Sequence, residues 1–193
     1  MTGIFLLLTG FPGTGKFTIA KRLRPLFSAK IIDNHWVNNP VLGVLDHDPA
    51  KPLPVEIWEQ TGRVRQTVLD TIVTFCAPSA NFIFTHAGIQ GDERSHRTFR
   101  QIADAAEKRG SLLVPVRLFC EAEELARRVA IPERRERLKS VNAEASRERS
   151  RTLEVLDPEH ANTLNLDVTA MSAEVSAAAV HRHVQALSSH LRS

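Results

Sequence analysis

Ile4-Phe5-Leu6-Leu7-Leu8-Thr9-Gly10-Phe11-Pro12-Gly13-Thr14-Gly15-Lys16-Phe17-Thr18-Ile19-Ala20-Lys21-Arg22-Leu23 is the stretch from which the rest of the chain is read. An apolar run, a glycine-rich turn and a lysine opening an amphipathic segment follow one another in the order of a strand–turn–helix unit. Gly10, Gly13 and Gly15 let the backbone curl tightly, so that successive N–H groups converge on one anion. The helix that begins there adds its positive end, and Lys16 adds a full charge suited to β- and γ-phosphates. Gly10, Gly13, Thr14, Gly15, Lys16, Phe17 and Thr18 are therefore expected to hold the phosphate chain of a nucleotide. One position departs from the pattern G-x-x-x-x-G-K-[ST]. The residue after Lys16, whose hydroxyl would meet Mg²⁺, is Phe17, and Thr18 comes one place late, suited to the α-phosphate instead.

With 193 residues, 42% hydrophobic and 24% charged, the composition is that of one globular domain, 1–193. The apolar start has no basic region before it and no small-residue cleavage site, so it reads as a buried strand and not as a signal peptide. No apolar run approaches the roughly 18 residues of a membrane span, which predicts a cytoplasmic protein with no membrane partner. Cys76 and Cys120 lack metal-ligand spacing and fit reduced thiols. The net charge of +3 is mild, but it is unevenly placed. Between Arg127 and Arg151, eight arginines and Lys139 face four glutamates, so the basicity belongs to that segment and the remainder is slightly acidic.

Short apolar runs alternate with helical periodicities, the signature of an α/β fold with a parallel sheet. Strands are expected at Ile4–Thr9, Ile31-Ile32, Phe82–Thr85, Leu112–Phe119 and Asn162–Val168. Helices are expected from Gly15 to Phe27, from Val55 to Phe75, after Asp92 or Ser95 up to Gly110, from Glu121 to Ala130, and from Ser172 to Leu191. Trp58, Val68, Leu69, Ile72 and Phe75 form the predicted inner face of the second of these, and Val175, Ala179, Val184, Leu187 and Leu191 that of the last. Asn38 to Pro54, rich in proline and aspartate, reads as a long loop. The arginine-rich segment reads as helical up to Leu156, broken at Pro132, a solvated cover with little to give a core.

Beyond the glycine loop, Asp33 and His35 stand where the second strand leaves the sheet, at the end where open α/β sheets bind ligands. Asp33 is expected to orient an acceptor hydroxyl, to take its proton, and to hold Mg²⁺ through water; His35 is expected to hydrogen-bond the acceptor. Arg63 and Arg65 are expected near the site, Arg63 as an acceptor-binding residue. Gly88 would allow close approach of an acceptor after the third strand. That strand ends in Thr85-His86-Ala87 with no acid, and a lone histidine such as His86 is more often structural than catalytic. Arg127, Arg128, Arg134, Arg135 and Arg137 suggest a lid over the γ-phosphate, with Arg134 and Arg135 in the catalytic role.

This order of motifs resembles the small P-loop kinases of the shikimate kinase and gluconate kinase group. It is also similar to kinase-like proteins whose loop reads G-x-P-G-x-G-K followed by a bulky residue and Thr, as Gly15-Lys16-Phe17-Thr18 does, with Asn34-His35 after strand two. The resemblance implies a three-layer α/β/α fold with a five-stranded parallel sheet in the order 2-3-1-4-5 and an arginine-rich helical lid at 127–151. It also implies an acceptor-binding segment at 38–76, ATP and Mg²⁺, and transfer of phosphate to a small hydroxylated acceptor. Shikimate kinases carry Asp-x-Asp after strand two and three glycines after strand three; here those places read Asp33-Asn34-His35 and His86-Ala87-Gly88, so shikimate itself is not the expected acceptor. Two other readings compete. One is a nucleotide-binding protein without phosphotransfer, motivated by Phe17. The other is a nucleic-acid end kinase using the basic segment, which is disfavoured because that segment has no aromatic residue to stack on bases. A guanine-reading Asn-Lys-x-Asp is absent from the sequence.

Overall fold

The computed structural model describes residues 2–46, 53–130 and 142–190. Five parallel strands, β1 (Ile4–Thr9), β2 (Lys30–Ile32), β3 (Phe82–His86), β4 (Leu112–Phe119) and β5 (Leu164–Asp167), lie in the order β2-β3-β1-β4-β5. This is the α/β sheet that the motifs imply. Strand β1 is central because its side chains are apolar on both faces. Leu6 and Leu8 belong to one core, with Ile83, Val114, Val116 and the inner residues of α1 (Lys16–Phe27) and α7 (Ala173–His190). Phe5 and Leu7 belong to the other, with Phe82, Phe84 and the inner residues of α3 (Val55–Phe75) and α4 (Glu93–Lys108). Helices on both faces make the three layers. In the second core the ring of Phe5 lies 5.5 Å from that of Phe82 and 5.1 Å from that of Phe84. Pro115 is tolerated inside β4 because β5 pairs with β4 only from Val116 onward, so β1 alone flanks the position that lacks an N–H.

Three expectations fail for identifiable reasons. Residues 38–42 are not loop: α2 runs Asn34–Leu42 with Pro40 inside it. Asp33, in an extended conformation, starts that helix, and burial of Val37 against the core of Phe84 and Leu69 outweighs the poor helix formers around it. The arginine-rich stretch is not helical to Leu156. Helix α6 (Ala143–Thr152) stops, and the chain runs extended so that Val155 and Leu156 are buried, Val155 bridging Ile89. Arg117 staples this run, donating to the carbonyls of Val155 and Leu156 and to Asp157. Finally, Phe75 and Val175, expected inside, are 81% and 53% exposed, Phe75 being the last residue of α3 and Val175 in the first turn of α7. Leu191 lies outside the described residues.

Helix α6 is also less free than its charge suggests. Glu123 of α5 (Ala122–Val129) takes hydrogen bonds from Arg147 and Arg151, and Ser146 is buried between the elements. Among the described residues no helix is long and apolar enough to cross a membrane, and Cys76 and Cys120 are free thiols.

Candidate active site

The glycine loop hangs from the carboxyl end of β1. The Gly10 N–H donates to the carbonyl of His86 at 3.3 Å, which fixes the loop's first residue to the end of β3. Buried Thr14 closes the turn, its Oγ1 donating to the Phe11 carbonyl at 3.0 Å. Gly13 has φ +102°, and a Cβ there would lie 2.9 Å from Leu125 Cδ2 and 3.0 Å from Val129 Cγ2, so α5 roofs the loop so closely that only glycine fits. Gly15, at φ +84°, turns the chain into α1. Lys16 extends back across the loop, its Nζ donating to the carbonyls of Gly10 at 2.6 Å and Phe11 at 2.8 Å. The half-buried Phe17 ring faces the same space, with Lys21 Nζ 5.1 Å above its centre.

In front of the loop lies a cleft of about 740 Å³, within the range of small-molecule sites. Lys16, Phe17 and Thr18 form one side; Asp33, Asn34, His35 and Asn38 come from the start of α2. Trp58, Thr61 and Arg65 come from α3, Thr85, His86 and Ala87 from the end of β3, and Arg94 and Thr98 from α4, with Arg149 reaching in from α6. Among the described residues, four cationic side chains thus line the cleft against the single carboxylate of Asp33. That carboxylate is held in place: Thr85 Oγ1 donates to Asp33 Oδ1 and accepts the Asn34 N–H at 3.0 Å. Arg65 is poised by weak bonds to Asn34 Oδ1 and Gln101 Oε1, both 3.4 Å, and burial together with the charge of Arg94 lowers its pKa to about 10. Arg94 stacks over Trp58, its guanidinium carbon 4.3 Å from the ring centre. His86 is buried with neither ring nitrogen hydrogen-bonded among the described residues. Burial, then the charges of Arg65, Lys16 and Arg94, push its pKa down to about 3, so it is a neutral imidazole.

The structure therefore gathers Lys16, Asp33 and His35 at one cleft. It sends other candidates elsewhere. Arg63 is exposed on α3 and outside the cleft lining, while Arg65, one helical half-turn on, points in. Gly88 is needed for packing: a Cβ would lie 2.7 Å from Thr9 Oγ1 and 2.8 Å from Leu156 Cβ, and its carbonyl accepts the Leu156 N–H. Of the five lid arginines, Arg127 is tied to Glu124, and Arg128 to Glu124 and to the carbonyls of Val168 and Thr169. Those bonds draw the Glu124 carboxyl down to about 2. Arg134, Arg135 and Arg137 lie outside the described residues. Nothing local in the sequence distinguishes Asn38 and Arg94 from surface residues, whereas Arg149 stands within the arginine-rich segment at 127–151.

The glycine loop thus stands at the carboxyl end of the central strand of a 2-3-1-4-5 parallel sheet, the end at which open α/β sheets bind their ligands. Solved structures share this fold. The chain is similar to a gluconokinase from Sinorhizobium meliloti (TM-score 0.62, 14% identity, covering 99% of this chain and 97% of that one). It is similar to a sugar kinase from a Janibacter species (TM-score 0.63, 16% identity, 95% of each chain). It is also similar to a shikimate kinase from Acinetobacter baumannii in complex with shikimate (TM-score 0.53, 14% identity, 96% of this chain and 94% of that one). No protein-family model and no curated protein matches the chain.

Proposed function

We propose that the protein is a cytoplasmic, single-domain kinase that transfers the γ-phosphoryl group of ATP to a hydroxyl of a small metabolite. The observation that carries this reading is the continuity of the cleft: one cavity runs from the glycine loop and Lys16 to the polar side chains of Asp33, Arg65 and Arg94, so donor and acceptor would share it. The loop's N–H groups and Lys16 would hold the phosphates, and Lys16 would stabilise charge on the transferring group. Asp33, held by Thr85, would orient the acceptor hydroxyl and take its proton. His35 would bind the acceptor from the start of α2, and Arg65 from the 38–76 segment. Arg149 would face the phosphates from the 127–151 lid, together with Arg134 and Arg135.

ATP-bound Mg²⁺ usually keeps several waters and needs only one or two protein carboxylates. Among the described residues no group of three or more His, Cys, Asp and Glu is arranged for a metal, but Asp33 lines the cleft with one carboxylate oxygen bonded to Thr85. That minimal donor set suits a metal held mainly by phosphates and water; when bound, it would neutralise charge on the β- and γ-oxygens.

Phe17 favours a second reading, in which ATP or ADP is bound without transfer. ADP release measured with and without Mg²⁺ across a panel of hydroxylated acceptors separates the two. The kinase reading expects Mg²⁺-dependent ADP release stimulated by an acceptor. ATP binding with no ADP drawn by any acceptor or by water favours the second.

A further inference from the structure

His86 is the polar group in the cleft that phosphoryl transfer leaves without a task. It is the last residue of β3, is 7% exposed, lines the cleft, and has no hydrogen-bond partner on Nδ1 or Nε2 among the described residues. Asn38 of α2 repeats the situation in the same cleft: it is 8% exposed and its side-chain oxygen has no partner among the described residues. Buried polar groups without partners are costly, and two facing one cavity call for a ligand that supplies the missing bonds.

The chemistry of that ligand follows from what the two groups lack. Burial and the cations Arg65, Lys16 and Arg94, against a smaller opposing pull from Asp92, keep His86 neutral. It therefore offers one N–H and one bare nitrogen, and no partner among the described residues selects the tautomer. The bare nitrogen and the Asn38 oxygen both need donors. An ammonium group has donors but would enter a cleft that the described residues line with four cations and one carboxylate. A carboxylate or a fully ionised phosphate ester brings no donor. A hydroxyl both donates and accepts. We infer that His86 and Asn38 form a hydroxyl-reading pair that selects an acceptor bearing at least two hydroxyl groups. The inference rests on the proposed function in taking this ligand to be the phosphoryl acceptor.

The test is calorimetric titration of the full chain saturated with the non-hydrolysable ATP analogue AMP-PNP. The probes are gluconate, glycerate and xylitol, with hexanoate and propionate as hydroxyl-free partners of the first two in chain length and charge. The wild-type protein is expected to bind at least one of the three polyols and neither hydroxyl-free acid. His86→Leu is expected to weaken that polyol about ten- to a hundredfold while AMP-PNP affinity stays within about twofold. Asn38→Leu should act in the same direction, and His86→Gln, which keeps a donor and an acceptor, should restore most of the affinity. Unchanged polyol binding in His86→Leu, equal binding of the hydroxyl-free acids, no binding of any polyol, or parallel loss of AMP-PNP each overturns the inference. ADP release from the same mixtures with ATP distinguishes the two proposals. A polyol that binds through His86 but draws no ADP removes the kinase reading alone; acceptor-driven ADP release indifferent to His86 removes the hydroxyl-reading pair alone.

Discussion

The two sides of the cleft are made of different material. The phosphate side is mostly backbone: Gly10 to Thr18 curl between β1 and α1, glycine at Gly13 and Gly15 allows the curl, and a single side chain, Lys16, reaches over it. The side proposed for the acceptor is almost wholly side chain, with Asp33 and Asn38 from one helix start, Arg65 from α3, His86 from a strand end and Arg94 from α4. A backbone cradle can bind any polyphosphate and varies little with what stands around it. A wall of side chains from four elements is where one acceptor can be distinguished from another. On this comparison, substitutions on the first side should damage nucleotide handling, and those on the second, Asp33 apart because it would also hold the metal, should damage the acceptor step alone.

The largest expected effect lies at Lys16. Lys16→Ala removes the one side-chain cation of the loop and is expected to lower kcat/KM for ATP by about 10²- to 10³-fold, with AMP-PNP affinity falling too. Steady-state ADP release and calorimetry check both. A loss below about threefold would mean that the backbone carries the phosphate site without its lysine, and the contrast between the two sides would have to be redrawn.

Arg65 offers the complementary test. It is largely buried, yet its bonds to Asn34 and Gln101 are long, so its guanidinium is available to a ligand at the acceptor end. Arg65→Met, which keeps much of the stem, is expected to raise the acceptor KM about tenfold or more and to leave the ATP KM unchanged, as measured by varying one substrate at saturation of the other. Equal changes in both constants would show that Arg65 serves the nucleotide.

The same division explains what could be read from the chain alone. Strands β1 and β4, and the glycine loop between β1 and α1, are written in contiguous residues whose types have one physical use, so their limits were legible. Helix α2 was not, because Asn38, Asn39 and Pro40 argue locally for a loop and only the burial of Val37 and the anchoring of Asp33 by Thr85, far away in sequence, decide otherwise. Val155 and Leu156 were assigned to a charged helix for a similar reason: the Arg117 staple that makes them extended core lies nearly forty residues earlier. Arg94 carries no local mark at all, Arg149 is marked only as one arginine of a basic segment, and helical phase alone does not show whether Arg63 or Arg65 meets the cleft. Under the proposed function, acceptor recognition would be assembled by tertiary structure and phosphate recognition encoded in sequence order.

Phe17 is where that contrast is weakest, since it belongs to the readable loop yet breaks its pattern. Its ring lies in the cleft lining under Lys21, in the place where the pattern has a hydroxyl for Mg²⁺. If Asp33 is then the main protein group near the metal, a hydroxyl restored next to Lys16 adds a second oxygen donor, and hard divalent cations are held more tightly as such donors accumulate. Phe17→Ser is therefore expected to lower the Mg²⁺ concentration for half-maximal ADP release about threefold, a smaller effect than either substitution above, because phosphates and water still supply most of the ligands. The acceptor KM should not move. A magnesium titration with unchanged midpoint would mean that Asp33 and the phosphates already complete the metal's surroundings, and a raised midpoint would mean that the aromatic ring supports the loop geometry on which the metal depends.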